Sequence, residues 1–219
     1  MFHFRRSSSS FTKTKAKTML DIDGRPDGFT KLNLIDLPKF RDLRKSRNIL
    51  VIDTETADGW KLKTLAQVGY VVKNTSGDVL ETMDEYVYGA KCIEWEDSKL
   101  DLNMIRQGMP KELVRDRLYR SLCRWNPIIV AHNVSFDIPI LQKQLGIDFG
   151  HRPIFCTCRD IHIKNICRLP LKNSKKCFKS PKQDELATHC NVPFDDLVLH
   201  TAYDDVLLLT RILDHPMFF

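Results

Sequence analysis

The sequence has no long hydrophobic run and no regularly paired cysteines. No apolar stretch approaches the about 18 residues that a membrane-spanning helix needs, so we expect no membrane partner. The 7 cysteines cannot all pair within one chain, and their spacing lacks the repeated pairs of a small secreted scaffold. These absences argue against a membrane-spanning or disulfide-framework protein and favour an intracellular one.

Two segments, residues 1–20 and 164–182, contain no acidic residue. They contribute charges of +5 and +7, and because the whole chain carries +6, the remaining residues carry −6. An acidic body with separate basic segments is expected when carboxylates bind metal ions while lysines contact phosphates. Solvated basic loops are the alternative for each segment.

A chain of 219 residues is long enough for one domain with its own core. We expect a basic targeting or disordered segment at 1–20, a lead-in at 21–48 and the functional domain at 49–219. The acid-free, hydroxyl-rich composition of 1–20 is typical of organelle transit peptides. A mitochondrial location is therefore one alternative, and a cytoplasmic or nuclear location is the other.

From residue 49 the hydrophobic pattern alternates between short apolar runs and helical spacing, which predicts an α/β fold with a mixed sheet flanked by helices. The predicted strands are 49–52, 66–72, 79–87, 127–131 and 154–157. The predicted helices are 110–125, 135–145, 184–190 and 201–213.

Acidic residues fall at the ends of several predicted elements. Asp53 and Glu55 follow the first buried strand, and residues i and i+2 of a strand share a face. Asp137 and Asp205 lie in the first turns of helices, where the helix dipole alone also favours an acid. Turn formation and helix-dipole effects explain each acid singly, but they do not explain the whole set together with His200.

The order of these residues resembles the DEDDh exonucleases, the superfamily of polymerase III proofreading exonucleases, RNase T and three-prime repair exonucleases. The resemblance lies in three motifs over about residues 49–213. They are Asp53-Thr54-Glu55-Thr56, Ala131-His132-Asn133 with Phe136-Asp137, and His200-Thr201-Ala202-Tyr203-Asp204-Asp205. The resemblance implies an RNase H-like fold with a five-stranded mixed sheet, and it makes 49–219 an exonuclease domain.

The resemblance also implies a role for each catalytic residue. Asp53 would bridge two Mg²⁺ or Mn²⁺ ions, with Glu55 and Asp205 completing the ligands of the first. Asp137 would act through bound water, and His200 would be the general base. The chemistry is consistent, because hard carboxylate oxygens suit these ions and histidine changes charge near neutral pH.

Asp204 competes with Asp205 for the role of the last acid. The family spacing favours Asp205, and adjacent helical residues point about 100° apart. We therefore expect Asp204 on the solvent side.

Further residues are expected to contact substrate, although loop capping and core packing are alternatives for several of them. Lysines of the second basic segment would add salt-dependent affinity for phosphates. The substrate-binding candidates are Thr54, Thr56, Leu65 (with its neighbours Ala66 and Gln67), Asn133, Lys175, Lys176 and Lys179. We expect His132 to be structural.

The predicted function is metal-dependent 3′-5′ hydrolysis of single-stranded nucleic acid to nucleoside 5′-monophosphates, with DNA slightly favoured over RNA. The alternatives are an exoribonuclease or oligoribonuclease, and a non-catalytic nucleic-acid-binding module. The expected partner is a single-stranded 3′ end, and a polymerase or a second copy of the chain are further candidates.

The cysteine-rich region 156–190 offers a second, weaker metal hypothesis. Cys156 and Cys158 form a C-x-C pair, whereas structural zinc sites usually have pairs separated by two to four residues. Buried free thiols are the simpler interpretation.

Overall fold

The structure is a computed structural model that describes residues 29–93, 98–171 and 174–219, without the side chains at 60 and 174–176. Residues 1–20, predicted to be a targeting or disordered segment, lie outside the described residues. A six-stranded sheet in the order β1-β6-β5-β2-β3-β4 forms the centre. Its strands are β1 Asn33–Ile35, β2 Ile49–Ala57, β3 Thr64–Lys73, β4 Val79–Tyr86, β5 Ile128–Ala131 and β6 Pro153–Cys156.

The sheet is mixed, as predicted. β2, β3 and β4 form an antiparallel meander, whereas β5, β6 and β1 continue from β2 in parallel. The expectation of five strands is wrong by one, because β1 comes from the lead-in segment. β1 is only three residues long and two of them are exposed, so it has no hydrophobic pattern by which to recognise it.

Helices cover both faces of this sheet. They are α1 Leu37–Arg44, α2 Gly59–Leu62, α3 Leu102–Arg106, α4 Lys111–Trp125, α5 Val134–Leu145, α6 Ile161–Cys167, α7 Gln183–His189 and α8 Ala202–Leu213. A 3-10 turn, Pro216–Phe218, follows α8. No helix among the described residues has the length and apolar character required to cross a membrane.

Strand β2 separates two hydrophobic cores because its residues alternate between the faces. Leu50 and Ile52 belong to the core beneath α4 and α5. Ile49 and Val51 belong to the core formed with α1, α6, α7 and α8. A strand that is buried on both faces reads as the continuous apolar run from which it was predicted.

The structure differs from the prediction most in the lysine-rich region after β6, where the sequence predicts neither a strand nor a helix before residue 184. Residues there form α6 and a hairpin of β7 Pro170–Leu171 with β8 Ser174–Phe178. Asp160 caps α6 by accepting hydrogen bonds from the amides of His162 and Ile163. All 7 cysteines are free thiols, and Cys167 and Cys190 are buried.

Candidate active site

The first acid pair lies within strand β2 rather than after it, because the strand continues to Ala57. Asp53 and Glu55 alternate with buried threonines and share the face of Val51, toward α8. The predicted strand ended too early because acidic residues are rare within central strands. The pair therefore has the precise spacing of a strand rather than that of a turn.

Asp137 reaches the same place from the first turn of α5. One oxygen of its carboxylate accepts hydrogen bonds from the Thr54 amide at 3.0 Å and the Thr54 hydroxyl at 2.8 Å. The residue is only 2% exposed. Thr54, predicted to contact substrate, thus holds Asp137 against the strand that carries the acid pair.

Asp205 comes from the first turn of α8, which Thr201 caps by accepting a hydrogen bond from the Asp204 amide. The Asp205 carboxylate accepts a hydrogen bond of 3.3 Å from the backbone amide of His200. His200 is exposed and has a positive φ of 72°, an uncommon conformation for a residue other than glycine. The turn before α8 therefore links the candidate base to the last acid.

Asp205, and not Asp204, joins the acid pair. A carboxylate oxygen from each of Asp53, Glu55 and Asp205 lies within 4.8 Å of the other two. Asp204 instead accepts a hydrogen bond from the Val198 amide. It lies in the first turn of α8 and is half-buried, whereas we expected it on the solvent side.

The carboxylates raise one another's pKa values. Burial is the largest cause for Asp53, whose pKa is well above its usual value, and repulsion from the other three acids adds to it. Burial and repulsion from Asp205 raise the pKa of Glu55 to about 8. Burial raises the pKa of Asp137 to about 7 and that of Asp205 to about 6. Such a cluster favours whatever supplies compensating positive charge.

A cleft of about 380 Å³ opens onto the cluster. It is lined by Asp53, Thr54, Glu55, His132, Asn133, Phe136, Asp137, Lys182, Gln183, Asp184, Leu199, His200 and Asp205. All five predicted catalytic residues are therefore brought together at one concave surface, although their proposed roles stay predictions. Asn133, a predicted substrate contact, also lines this cleft.

Other substrate-binding candidates are placed elsewhere. Leu65 has no exposed surface and packs in the core, and Thr56 is 6% exposed beyond an irregularity in the β2–β3 pairing. Neither lines the cleft, so the alternative of core packing applies to Leu65. The Lys179 ammonium group is paired with Glu185. The side chains of Lys175 and Lys176 lie outside the described residues.

His132 connects β5 to the segment that borders the cleft. Its Nε2 lies 3.1 Å from the carbonyl oxygen of Pro181, and its Nδ1 lies 3.0 Å from the Thr157 hydroxyl. A carbonyl can only accept, so Nε2 carries the proton and Nδ1 accepts. Burial lowers the pKa of His132 to about 4, which keeps the ring neutral. This geometry agrees with a structural role.

Lys182 and Gln183 border the cleft but were not singled out as site residues from the sequence. The side-chain amide of Gln183 donates to the Asp205 carbonyl oxygen at 2.5 Å. Lys182 precedes α7 and adds the positive charge of a lysine to a cleft that contains several acids. Neither residue has a motif of its own, because its position depends on how the hairpin and α7 pack.

The donor set fits divalent cations of the Mg²⁺ and Mn²⁺ type. The three closest ligands are all carboxylates, and hard oxygen donors are what these ions prefer. Asp137 lies beside them and can act directly or through water. Buried carboxylates that repel one another are stabilised when a cation separates them.

Solved structures with the same fold support the architecture. Crystal structures of Escherichia coli exonuclease I superimpose with a TM-score of 0.58 for the complex with a dA16 oligonucleotide and 0.59 for a zinc-bound complex with single-stranded DNA. Sequence identities are 12% and 13%, over 79% and 80% of this chain. No protein-family model and no curated protein matches the sequence.

At such low identity the likeness establishes the fold alone. It confirms the predicted RNase H-like α/β architecture, with six strands instead of five. This chain spans 42% of the length of these exonuclease I structures.

Proposed function

We propose that this chain is a metal-dependent 3′-5′ exonuclease of the DEDDh type, acting on single-stranded nucleic acid with DNA slightly favoured. The observation that carries the proposal is the grouping of Asp53, Glu55 and Asp205 within 4.8 Å, in a cleft that also contains Asp137 and His200. Three elements distant in sequence supply these residues, in the motif order of the family.

The fold likeness supports the choice of substrate class. Exonuclease I has been solved in complex with dA16 and dT13 oligonucleotides. These complexes guide the expectation of the substrate for this chain. The basic segment 164–182 borders the cleft through Lys182 and would attract a phosphate backbone irrespective of base sequence. A single-stranded 3′ end is the partner that this combination favours.

The carboxylates would hold two Mg²⁺ or Mn²⁺ ions, which when bound supply the Lewis acidity that lowers the pKa of water and neutralises charge on the phosphate. Asp53 and Glu55 are spaced by the strand, and Asp205 is held by the turn of α8. His200 is exposed beside them, where its imidazole can accept the proton of the attacking water. Asn133 and Lys182 line the cleft and would orient the terminal nucleotide.

The decisive experiment uses matched 5′-labelled single-stranded DNA and RNA with Mg²⁺, with Mn²⁺ and with EDTA. The wild-type chain should produce a ladder that shortens from the 3′ end and releases nucleoside 5′-monophosphates. The variants Asp53→Ala and His200→Ala should lose this activity. Asp204→Asn is the matched control, because Asp204 neighbours Asp205 in sequence but does not line the cleft.

The outcomes separate the alternatives. Preference for RNA, and above all for short RNA, would replace the DNA assignment with an exoribonuclease or oligoribonuclease. Intact substrate in every lane, accompanied by a shift of the nucleic acid in a gel, would leave a non-catalytic binding module. Location in mitochondria and partnership with a polymerase or a second copy stay predictions from the sequence.

A further inference from the structure

Two residues of β3 lie directly opposite the acid pair of β2. In the antiparallel register Gly69 pairs with Asp53, and Gln67 pairs with Glu55. Directly paired residues of antiparallel strands project from the same face of a sheet. Gln67 and Gly69 therefore face α8 beside the carboxylates.

Gly69 lets the first turn of α8 approach the sheet closely. A Cβ atom at this position would lie 2.7 Å from both the carbonyl carbon and the carbonyl oxygen of Ala202. Those are backbone atoms, so no side-chain rotation relieves the contact, and any larger residue would push the helix away. The close approach places the start of α8 on the strand that neighbours β2.

Gln67 fastens the same turn with a hydrogen bond. Its side-chain oxygen accepts from the Ala202 amide at 3.1 Å, and its side-chain NH₂ donates to the Asp84 carboxylate at 2.8 Å. The amides of a first helical turn have no partner within the helix, so Gln67 satisfies one of them. An ionised carboxylate only accepts, and Asp84 therefore fixes which way the Gln67 amide points.

Asp205 follows Ala202 by three residues, which is less than one helical turn. Any movement of Ala202 relative to β3 is therefore transmitted to the Asp205 carboxylate. Gln67 itself is 2% exposed and does not line the cleft. Its side chain therefore contacts the helix that carries Asp205, and it does not face the space that substrate would occupy.

We propose that Gln67, oriented by Asp84 and accompanied by Gly69, is a positioning residue that sets the Asp205 carboxylate against Asp53 and Glu55 and thereby determines the affinity for divalent cations. The inference deepens the proposed function and rests on it, because it requires that these carboxylates bind metal. Its effect is on metal affinity in the absence of any nucleic acid.

The test is calorimetric titration of the purified chain with Mn²⁺ and with Mg²⁺, without substrate. Gln67→Leu removes both hydrogen bonds at similar side-chain volume and should weaken binding about 10- to 100-fold, as losses of residues that orient ligands do. Ser121→Ala is the matched control. It removes a buried hydroxyl that forms hydrogen bonds with Tyr70 and Glu81. These bonds lie away from α8, and Tyr70 belongs to the core beneath α4 and α5. This control should lower the melting temperature and leave metal affinity unchanged.

A reversed pair provides a second variant that does not depend on the folding of Gln67→Leu. Gln67→Glu keeps the acceptor for the Ala202 amide but places a second carboxylate opposite Asp84, so that neither side chain can donate to the other. This variant should weaken metal binding. Adding Asp84→Asn restores a donor and an acceptor with the original total charge, and it should recover most of the lost affinity. A merely structural role would change melting temperatures in these variants without this pattern of loss and recovery.

Three results would overturn the inference. If folded Gln67→Leu binds metal as tightly as the wild-type chain, the inference fails and the proposed function stands. The same follows if the reversed pair binds metal no more tightly than Gln67→Glu. Failure of the wild-type chain to bind Mn²⁺ or Mg²⁺ would overturn the proposed function as well. The wild-type titration therefore distinguishes the two failures.

Discussion

The two ends of the β2–β3 ribbon differ in how their buried charges are compensated. At one end the basic side chains of Arg44 and Lys73, each 6% exposed, meet the carboxylate of Asp214. Lys73 donates to both Asp214 oxygens at 2.8 Å. At the other end Asp53 and its acidic neighbours face one another and raise their own pKa values.

The first arrangement stabilises the folded chain, whereas the second favours the binding of a positive charge. Buried charges are ordinarily paired, because an unpaired charge in a protein interior costs several kcal/mol. The ion pairs at Asp214 satisfy that rule within the chain. The carboxylates near Asp53 satisfy it only by taking up protons or a cation from solution, which is why this end is the candidate site.

The largest expected effect comes from making the acidic end less charged. Asp53→Asn should reduce the rate of the proposed nuclease reaction roughly 10³-fold or more, since the proposed metal ligation would contribute several kcal/mol and each 1.36 kcal/mol is tenfold in rate. The same change removes repulsion, so the metal-free protein should melt at a higher temperature. Single-turnover rates and melting curves in EDTA test both halves. A variant that is slower and also less stable in EDTA would contradict the comparison.

A smaller loss is expected when a ligand is loosened rather than removed. Thr54→Val deletes the hydroxyl that donates to Asp137 at 2.8 Å, although the Thr54 amide still donates. The rate should fall about 10- to 100-fold, as for other residues that orient ligands. Thr210→Val is the control, because it removes a buried hydroxyl that donates within α8 to the Val206 carbonyl oxygen. Equal losses of rate in both variants would argue against a specific role for Thr54.

At the opposite end, removing the single acid should affect folding instead of chemistry. Asp214→Ala leaves Arg44 and Lys73 without this partner and should lower the free energy of unfolding by about 2 kcal/mol. That value is reduced from the full cost of a broken buried pair because Asp214 is half exposed. Urea denaturation measures it, and the rate per folded molecule should stay near wild type. A large loss of rate at full folding would break the distinction between the two ends.

A pH dependence of the metal-free protein is expected without any substitution. The pKa of Glu55 rises from 4.5 to about 8 on folding, and that of Asp205 rises from 3.8 to about 6. A carboxyl whose pKa is raised contributes stability at low pH that is lost as pH rises through the folded value. In EDTA the melting temperature should therefore fall between about pH 4 and about pH 8. Mg²⁺ should reverse most of the decline at pH 8, and a flat profile in EDTA would contradict the electrostatic account.

Elements with strong periodicity were predictable, and short or edge elements were not. The buried strand at Ile49 and the helices α4, α5 and α8 have patterns longer than any competing signal. β1 and the hairpin of β7 with β8 lack such patterns, because β1 depends on pairing with β6 far away in the chain and β7 is only two residues long. The sequence places Asp53 and Glu55 after a strand rather than in it, since acidic residues are rare within central strands.

The sequence by itself determined the fold class and the set of candidate catalytic residues, because strand alternation, helix periodicity and motif order are local properties of the chain. Only the tertiary structure decided which residues meet. It turned Leu65 into the core and brought Lys182 and Gln183 to the cleft. It also set Gln67 and Gly69 against Ala202. These placements depend on how strands pair and how α8 packs on the sheet, and contacts between distant segments leave no periodic signal in either one.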